Sequence, residues 1–211
     1  MIILPAIDLQ GGRCVRLRQG RADEATDVAR NGLAVSPANP ELHYTLGLIL
    51  ARKGDFASAT NQFAYALLLK FAWADVHLTF GQVLLYLGDA PNGLRHFQEA
   101  VRLAPDWPLA LNGLAWFLAT YPDVTVRNGP EAVRLAEHAC AVTSRRNPEL
   151  LDTLAAAYAE AGRFPEAINA AQEAIALART AGDEAAVNQA GNLLGFFQSG
   201  RPFREDTPPS P

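Results

Sequence analysis

The side chains of this 211-residue chain that could do acid–base, nucleophilic or metal chemistry are few: four histidines, two cysteines (Cys14 and Cys140) and scattered carboxylates. Their spacing decides what they are good for. His43 and His77 both follow an acidic residue and an aliphatic one, in ELHYTLG and DVHLTFG, which places them alike on successive elements, as two ligands of one metal would be. No Cys or acidic side chain joins them at ligand spacing, so both read as packing residues. His96 and His138 have no motif around them and read as partly exposed surface residues. Asp55 and Asp89 each follow a glycine, where a carboxylate caps the next helix more readily than it catalyses. The sequence carries no Gly-rich phosphate loop, nucleophile elbow or zinc signature, so no cofactor and no metal are expected. Asp8, in LPAIDLQGGRCVRL, stands apart at the end of an apolar run.

The elements that position these residues repeat. The stretch ELHYTLGLILARKGDFASATNQFAYALLL aligns without gaps with DVHLTFGQVLLYLGDAPNGLRHFQEAVRL further along the chain. Gly47 meets Gly81, Gly54 meets Gly88, Asp55 meets Asp89, Phe63 meets Phe97 and Ala66 meets Ala100. The period is about 34 residues, the length of one helix–turn–helix unit. Two further copies place small residues at Ala115, Ala132 and Ala139, then at Ala155, Ala167 and Ala174. Small residues at these places let two antiparallel helices approach closely, while Leu, Phe and Tyr fill the groove between them. Gly54, Gly88 and Gly162 mark the turn from the first helix of a pair (A) to the second (B). One such pair cannot bury its apolar face alone, so stacking is obligatory.

The pattern resembles the tetratricopeptide repeat (TPR) family over about residues 20–180, with Pro37 and Pro105 at the terminal proline position and Phe71 departing from it. The early Trp of that signature is replaced by His43, His77, Leu111 and Leu151. The resemblance implies an all-α, right-handed superhelix of about four helix pairs. Ahead of them the repeat predicts a lone B helix near residues 21–35; behind them GDEAAVNQAGNLLGFFQSG reads as a capping helix. The third pair is interrupted by YPDVTVRNGPEAV, a tolerated insertion or a contact loop. The expected boundaries are a leader over 1–19, the repeats over 20–198, and a disordered Pro-rich tail over 199–211.

The leader does not fit the repeat, because Gly11 and Gly12 would fall inside a helix, each costing about 1 kcal/mol relative to Ala. On LPAIDL, GGRCVRL and RQG, the stretch from Met1 to Thr26 is instead similar to the first strand and loop of the histidine-biosynthesis isomerase barrel. That resemblance implies an acid or base at Asp8 and a substrate contact at Arg16. A (β/α)₈ barrel needs about 250 residues and groups from several strand ends, and the likeness ends near Thr26. Opposite roles for two acids require two acids in one pocket, so Asp8 is expected to be inert, and the leader to be a non-functional graft.

A net charge of −4 argues against nucleic acid as a partner, which needs clustered Lys and Arg. The absence of a long apolar run argues against direct membrane insertion, and two cysteines without a disulfide framework fit a cytoplasmic chain or part of a larger protein. The TPR resemblance implies a non-catalytic protein-interaction module binding a protein or peptide in a groove lined by A helices. Its candidate contacts are Tyr44, Leu48, Arg52, Gln82, Tyr86, Asn112, Trp116 and Asp152, a mixture of aromatic and polar side chains suited to a short peptide. Self-association is a further use open to this groove. Two other readings stay open: a remnant of or fusion with the sugar isomerase, and an accessory C-terminal repeat region of a larger bacterial glycosyltransferase-like protein.

Overall fold

The computed structural model describes residues 8–10, 13–14 and 19–205. The leader contributes a two-stranded antiparallel hairpin, β1 (Asp8–Gln10) against β2 (Arg13–Cys14), with Asp8 opposite Cys14. The strand expected over IILPAI, and Arg16, lie outside the described residues. Ten α-helices follow among the described residues: α1 (Gln19–Val35), α2 (Pro40–Arg52), α3 (Phe56–Leu69), α4 (Ala74–Tyr86), α5 (Ala90–Leu103), α6 (Pro108–Thr120), α7 (Gly129–Val142), α8 (Pro148–Glu160), α9 (Phe164–Ala181) and α10 (Glu184–Gln198). The lone B helix predicted near 21–35 is α1, and α10 is the capping helix. The four pairs are α2–α3, α4–α5, α6–α7 and α8–α9. They fall into two compact units, one reaching to Leu103 and the other running from Ala104.

The sequence sets both ends of these helices. Pro40, Pro108 and Pro148 open α2, α6 and α8, where a missing N–H costs nothing. Asn39, Asp55, Asn128, Asn147 and Asp183 accept a first-turn N–H, each a cap contributing about 1 kcal/mol. After α2, α4 and α8 the chain turns at Gly54, Gly88 and Gly162, with φ of +82°, +80° and +76°, where a Cβ is disfavoured. The residue after each glycine donates its N–H to a carbonyl five residues back, at 2.9, 2.9 and 2.8 Å, closing the helix end.

In the first unit α1 packs on α2, and α3 on α4. Its core centres on Leu46, Ile49, Phe63, Val76 and Val83. Phe63 is wholly buried against Gly47, where a Cβ would lie 2.5 Å from the ring. A glycine is therefore needed there to admit the ring. In the second unit α8 packs on α6 and α7, and α10 covers α9 and α8. The small positions read from the sequence, Ala115, Ala132, Ala139, Ala155, Ala167 and Ala174, are all inaccessible to solvent. They bring the paired backbones together as the repeat requires.

Two histidines latch the joints of the first unit. His43 Nε2 lies 2.9 Å from the Pro37 carbonyl and its Nδ1 2.8 Å from Gln62 Oε1. One repeat later, His77 Nε2 lies 3.0 Å from the Phe71 carbonyl and its Nδ1 2.9 Å from His96 Nδ1. Each ring joins an A helix to its B helix and to the preceding loop, the packing role expected of both. His96 differs from its expected surface role: it is half-buried, pairs with His77 and lies 4.3 Å from the Phe80 ring. Burial first, then the neighbouring His77, pushes the His96 pKa down to about 4.

Candidate binding face

The expected contact residues divide between the two units. In the first, Tyr44 packs its ring 5.0 Å from Trp73 and 6.0 Å from Phe63, with its hydroxyl 3.4 Å from Thr79 Oγ1. Burial raises its pKa to about 12. Leu48 is buried in the same core, so the side chains of both serve packing rather than a surface ligand. Arg52 is exposed. Gln82 is half-buried, and its Oε1 has no hydrogen-bonding partner among the described residues. Tyr86 is exposed and packs at a tilt with its ring centroid 4.3 Å from that of Phe56, which leaves an aromatic side chain at the surface.

In the second unit Asn112 and Trp116 project from α6 and Asp152 from α8. Asp152 is 2% exposed; its Oδ2 accepts from Gln189 Nε2 of α10 at 3.3 Å, while its Oδ1 has no partner among the described residues. Desolvation dominates there and raises its pKa to about 7, against the smaller effect of the Gln189 hydrogen bond. Asn112 Oδ1 is likewise buried and unpartnered among the described residues.

Trp116 is occupied. Its indole Nε1–H donates to Glu205 Oε1 at 2.7 Å, and its ring lies 5.8 Å from Phe203, which also meets Phe196 of α10 edge-on at 5.5 Å. Residues 199–205 are therefore not the disordered tail that their composition predicts. Gly200, with φ of +64°, closes the end of α10, and Arg201–Glu205 run back over α6 and α8. Residues 206–211 lie outside the described residues.

The end of α6 explains why the tail is held. This is the one A helix among the four pairs without an αL glycine after it: Tyr121 leaves at φ −58°, ψ 140° and the long loop begins. The closing bond made after α2, α4 and α8 is absent here, and the last carbonyls of α6 find other donors. Tyr121 N–H takes Phe117 O at 3.2 Å and Asn128 N–H takes Leu118 O at 2.9 Å. Arg204 Nη1 takes Ala119 O at 3.3 Å, and Glu205 N–H takes Thr120 O at 3.0 Å. The loop's Arg127 donates to the Tyr121 and Pro122 carbonyls at 2.9 and 2.7 Å and to Glu160 Oε1 at 3.0 Å. The other Glu160 oxygen receives Arg204 Nη2. Glu160, at the end of α8, is mostly buried between two guanidinium groups, an arrangement that satisfies its charge.

A family model described as tetratricopeptide repeat matches residues 14–75 and 78–125, more than half the chain. The chain belongs to the tetratricopeptide repeat family. A second model, anaphase-promoting complex subunit 5, matches residues 148–201. Among solved structures, this TPR chain is similar to YrrB, described as a TPR protein with an unusual peptide-binding site, at 18% identity and a TM-score of 0.65, covering 82% of this chain and 85% of that one. It is also similar to a tetratricopeptide repeat protein of Parabacteroides merdae ATCC 43184, at 16% identity and a TM-score of 0.70, covering 86% and 69%. At these identities the likeness shows the fold. The isomerase resemblance is found as well, and it is short. A 36-residue stretch, 17% of this chain, is 58% identical to the phosphoribosyl imidazole-4-carboxamide isomerase of Desulforudis audaxviator strain MP104C. The TPR chain spans about a seventh of the length of the curated relatives it matches, 14% and 16% for the first two. Helical repeats of this type are typical of protein-interaction modules. No helix among the described residues is long and apolar enough to cross a membrane.

Proposed function

We propose that this TPR chain is a non-catalytic interaction module that takes short segments of protein chain on its A-helix faces. The observation that supports this most directly is the seating of Phe203, Arg204 and Glu205 on α6 and α8, through an indole N–H, two helix-end carbonyls and a carboxylate. A surface that orders one extended segment through backbone carbonyls and an aromatic anchor has the means to order another. In the first unit Tyr86, backed by Phe56, offers a comparable anchor. Screening the full chain against an array of short peptides tests this reading. Binders should emerge whose affinity falls at least tenfold with Tyr86→Ala or Trp116→Ala in a chain of unchanged helicity. An array without a binder would end the module reading, and binders indifferent to both substitutions would move the site elsewhere.

The isomerase reading rests on the short likeness alone. Turnover of the phosphoribosyl substrate that disappears with Asp8→Asn would restore it; absence of turnover at high protein concentration removes it.

A further inference from the structure

We infer that the α6–α8 face is a receptor for an extended partner segment of the order aromatic–Arg–Glu, and that Phe203–Arg204–Glu205 is its resident, competing occupant. The inference rests on the interaction-module reading and specifies the chemistry that this face accepts.

Each position of the receptor has its own requirement. The two terminal carbonyls of α6, Ala119 O and Thr120 O, lie at the negative end of the helix dipole without the glycine-closed turn that ends α2, α4 and α8, and so call for donors from outside the repeat. A guanidinium meets that need and simultaneously reaches Glu160, as Arg204 does. A lysine has one ammonium with which to serve two acceptors set apart, so arginine is favoured at this place. Arg127, which the inserted loop supplies, holds Glu160 from the other oxygen and fixes the carboxylate for the incoming arginine. The next residue must donate its backbone N–H to Thr120 O and carry an acceptor for the Trp116 Nε1–H, which Glu205 does at 3.0 and 2.7 Å. The preceding residue sits between the Trp116 and Phe196 rings, at 5.8 and 5.5 Å, a place for an aromatic side chain. These contacts arise where the third repeat departs from its neighbours, and α8 and α10 complete them with Glu160 and Phe196.

Because the resident segment follows directly on α10, its effective concentration at the face is high, of the order of millimolar for a short tether, and a free peptide must displace it. The test uses the full chain and the labelled peptide Gly-Arg-Pro-Phe-Arg-Glu-Asp, the sequence of residues 200–206. In a full-length variant with Phe203→Ala, Arg204→Ala and Glu205→Ala together, the face is released, and fluorescence anisotropy should show the peptide binding at least tenfold more tightly than to the unaltered chain. Adding Glu160→Gln to the released variant should weaken binding several-fold and flatten its salt dependence. Adding Trp116→Phe, which keeps the ring and removes the N–H, should weaken binding to a peptide ending in Glu-Asp but leave the same peptide with Gln for its Glu less affected. Circular dichroism of each variant certifies that it is folded. A folded released variant that fails to take the peptide, or takes it no better than the unaltered chain, overturns the inference. If that failure occurs while the peptide array still yields ligands lost with Tyr86→Ala, the module reading stands and only the tail's role falls.

Discussion

Replacing Asp152 by Asn should stabilise the protein, and by an amount that grows with pH. The carboxyl is 2% exposed, has one hydrogen bond from Gln189 at 3.3 Å, and has a pKa raised to about 7 by burial. An unfolded chain releases the same proton near pH 4. Between about pH 4 and pH 7 the folded state therefore holds a proton that the unfolded state has lost, so stability falls as pH rises through that window and stays low above it. A displacement of about three pKa units at 1.36 kcal/mol each sets a ceiling of about 4 kcal/mol. Local relaxation around a lone carboxylate reduces that, and a gain of about 2 kcal/mol is expected at pH 8. Asn keeps the shape and an acceptor for Gln189 while removing the charge. Urea unfolding of both proteins by circular dichroism at pH 4, 6 and 8 reads the difference directly, because every other titrating group is common to the two. The midpoints should nearly coincide at pH 4 and separate progressively toward pH 8, with the Asn variant the more stable. A separation that does not change with pH, or an Asn variant less stable at pH 8, would refute the assignment of Asp152 as a desolvated carboxylate.

The His77–His96 pair has the opposite slope: with both pKa values lowered, its contribution is complete above about pH 6.5 and is lost as pH falls toward about 4. His96→Gln, which installs the residue found one repeat earlier at Gln62, should remove only about 1 kcal/mol of that acid sensitivity in urea unfolding at pH 4.5 against pH 7.5, because solvent screens the partly exposed His96. Phe63→Ala should destabilise the first unit by about 3–5 kcal/mol, since the ring is wholly buried, and Gly47→Ala by about 1–3 kcal/mol because the new methyl meets that ring; thermal melts check both. Cys140 is buried, donates its thiol to Leu150 O at 3.5 Å and has its pKa raised to about 11 by burial. It should resist iodoacetamide at pH 8 in the folded protein and react in urea, as mass spectrometry of the Cys140 peptide would show.

The periodic parts of this molecule could be read from the sequence because each depends on neighbours a fixed distance away. Gly54, Gly88 and Gly162 take left-handed φ values in the structure, and the six alanines of the last two pairs are fully buried. Parts that depend on a departure from the period were harder to read. His96 is paired because His77 stands nineteen residues before it, and the corresponding His43 and Gln62 carried the same signal. Tyr44 and Leu48 fall at groove-facing places in the repeat, yet neighbouring aromatic and aliphatic groups draw them into the core. The tail has the composition of a disordered segment, and its order depends on α6, whose end lacks the glycine found after the other A helices. The sign of this was already present in YPDVTVRNGP, where the other pairs have a short glycine turn, but the distance from Thr120 to Glu205 along the chain is beyond what periodicity can connect.

The histidine latches carry an implication for how such an array lengthens. A cassette running from Pro37 to Lys70 contains the loop carbonyl, the imidazole and the B-helix side chain of one joint, and the stretch from Phe71 to Ala104 contains a second complete set. Tandem duplication of that cassette in register would deliver each added joint with its fastening already built in, so growth by copying requires no compensating change elsewhere in the gene.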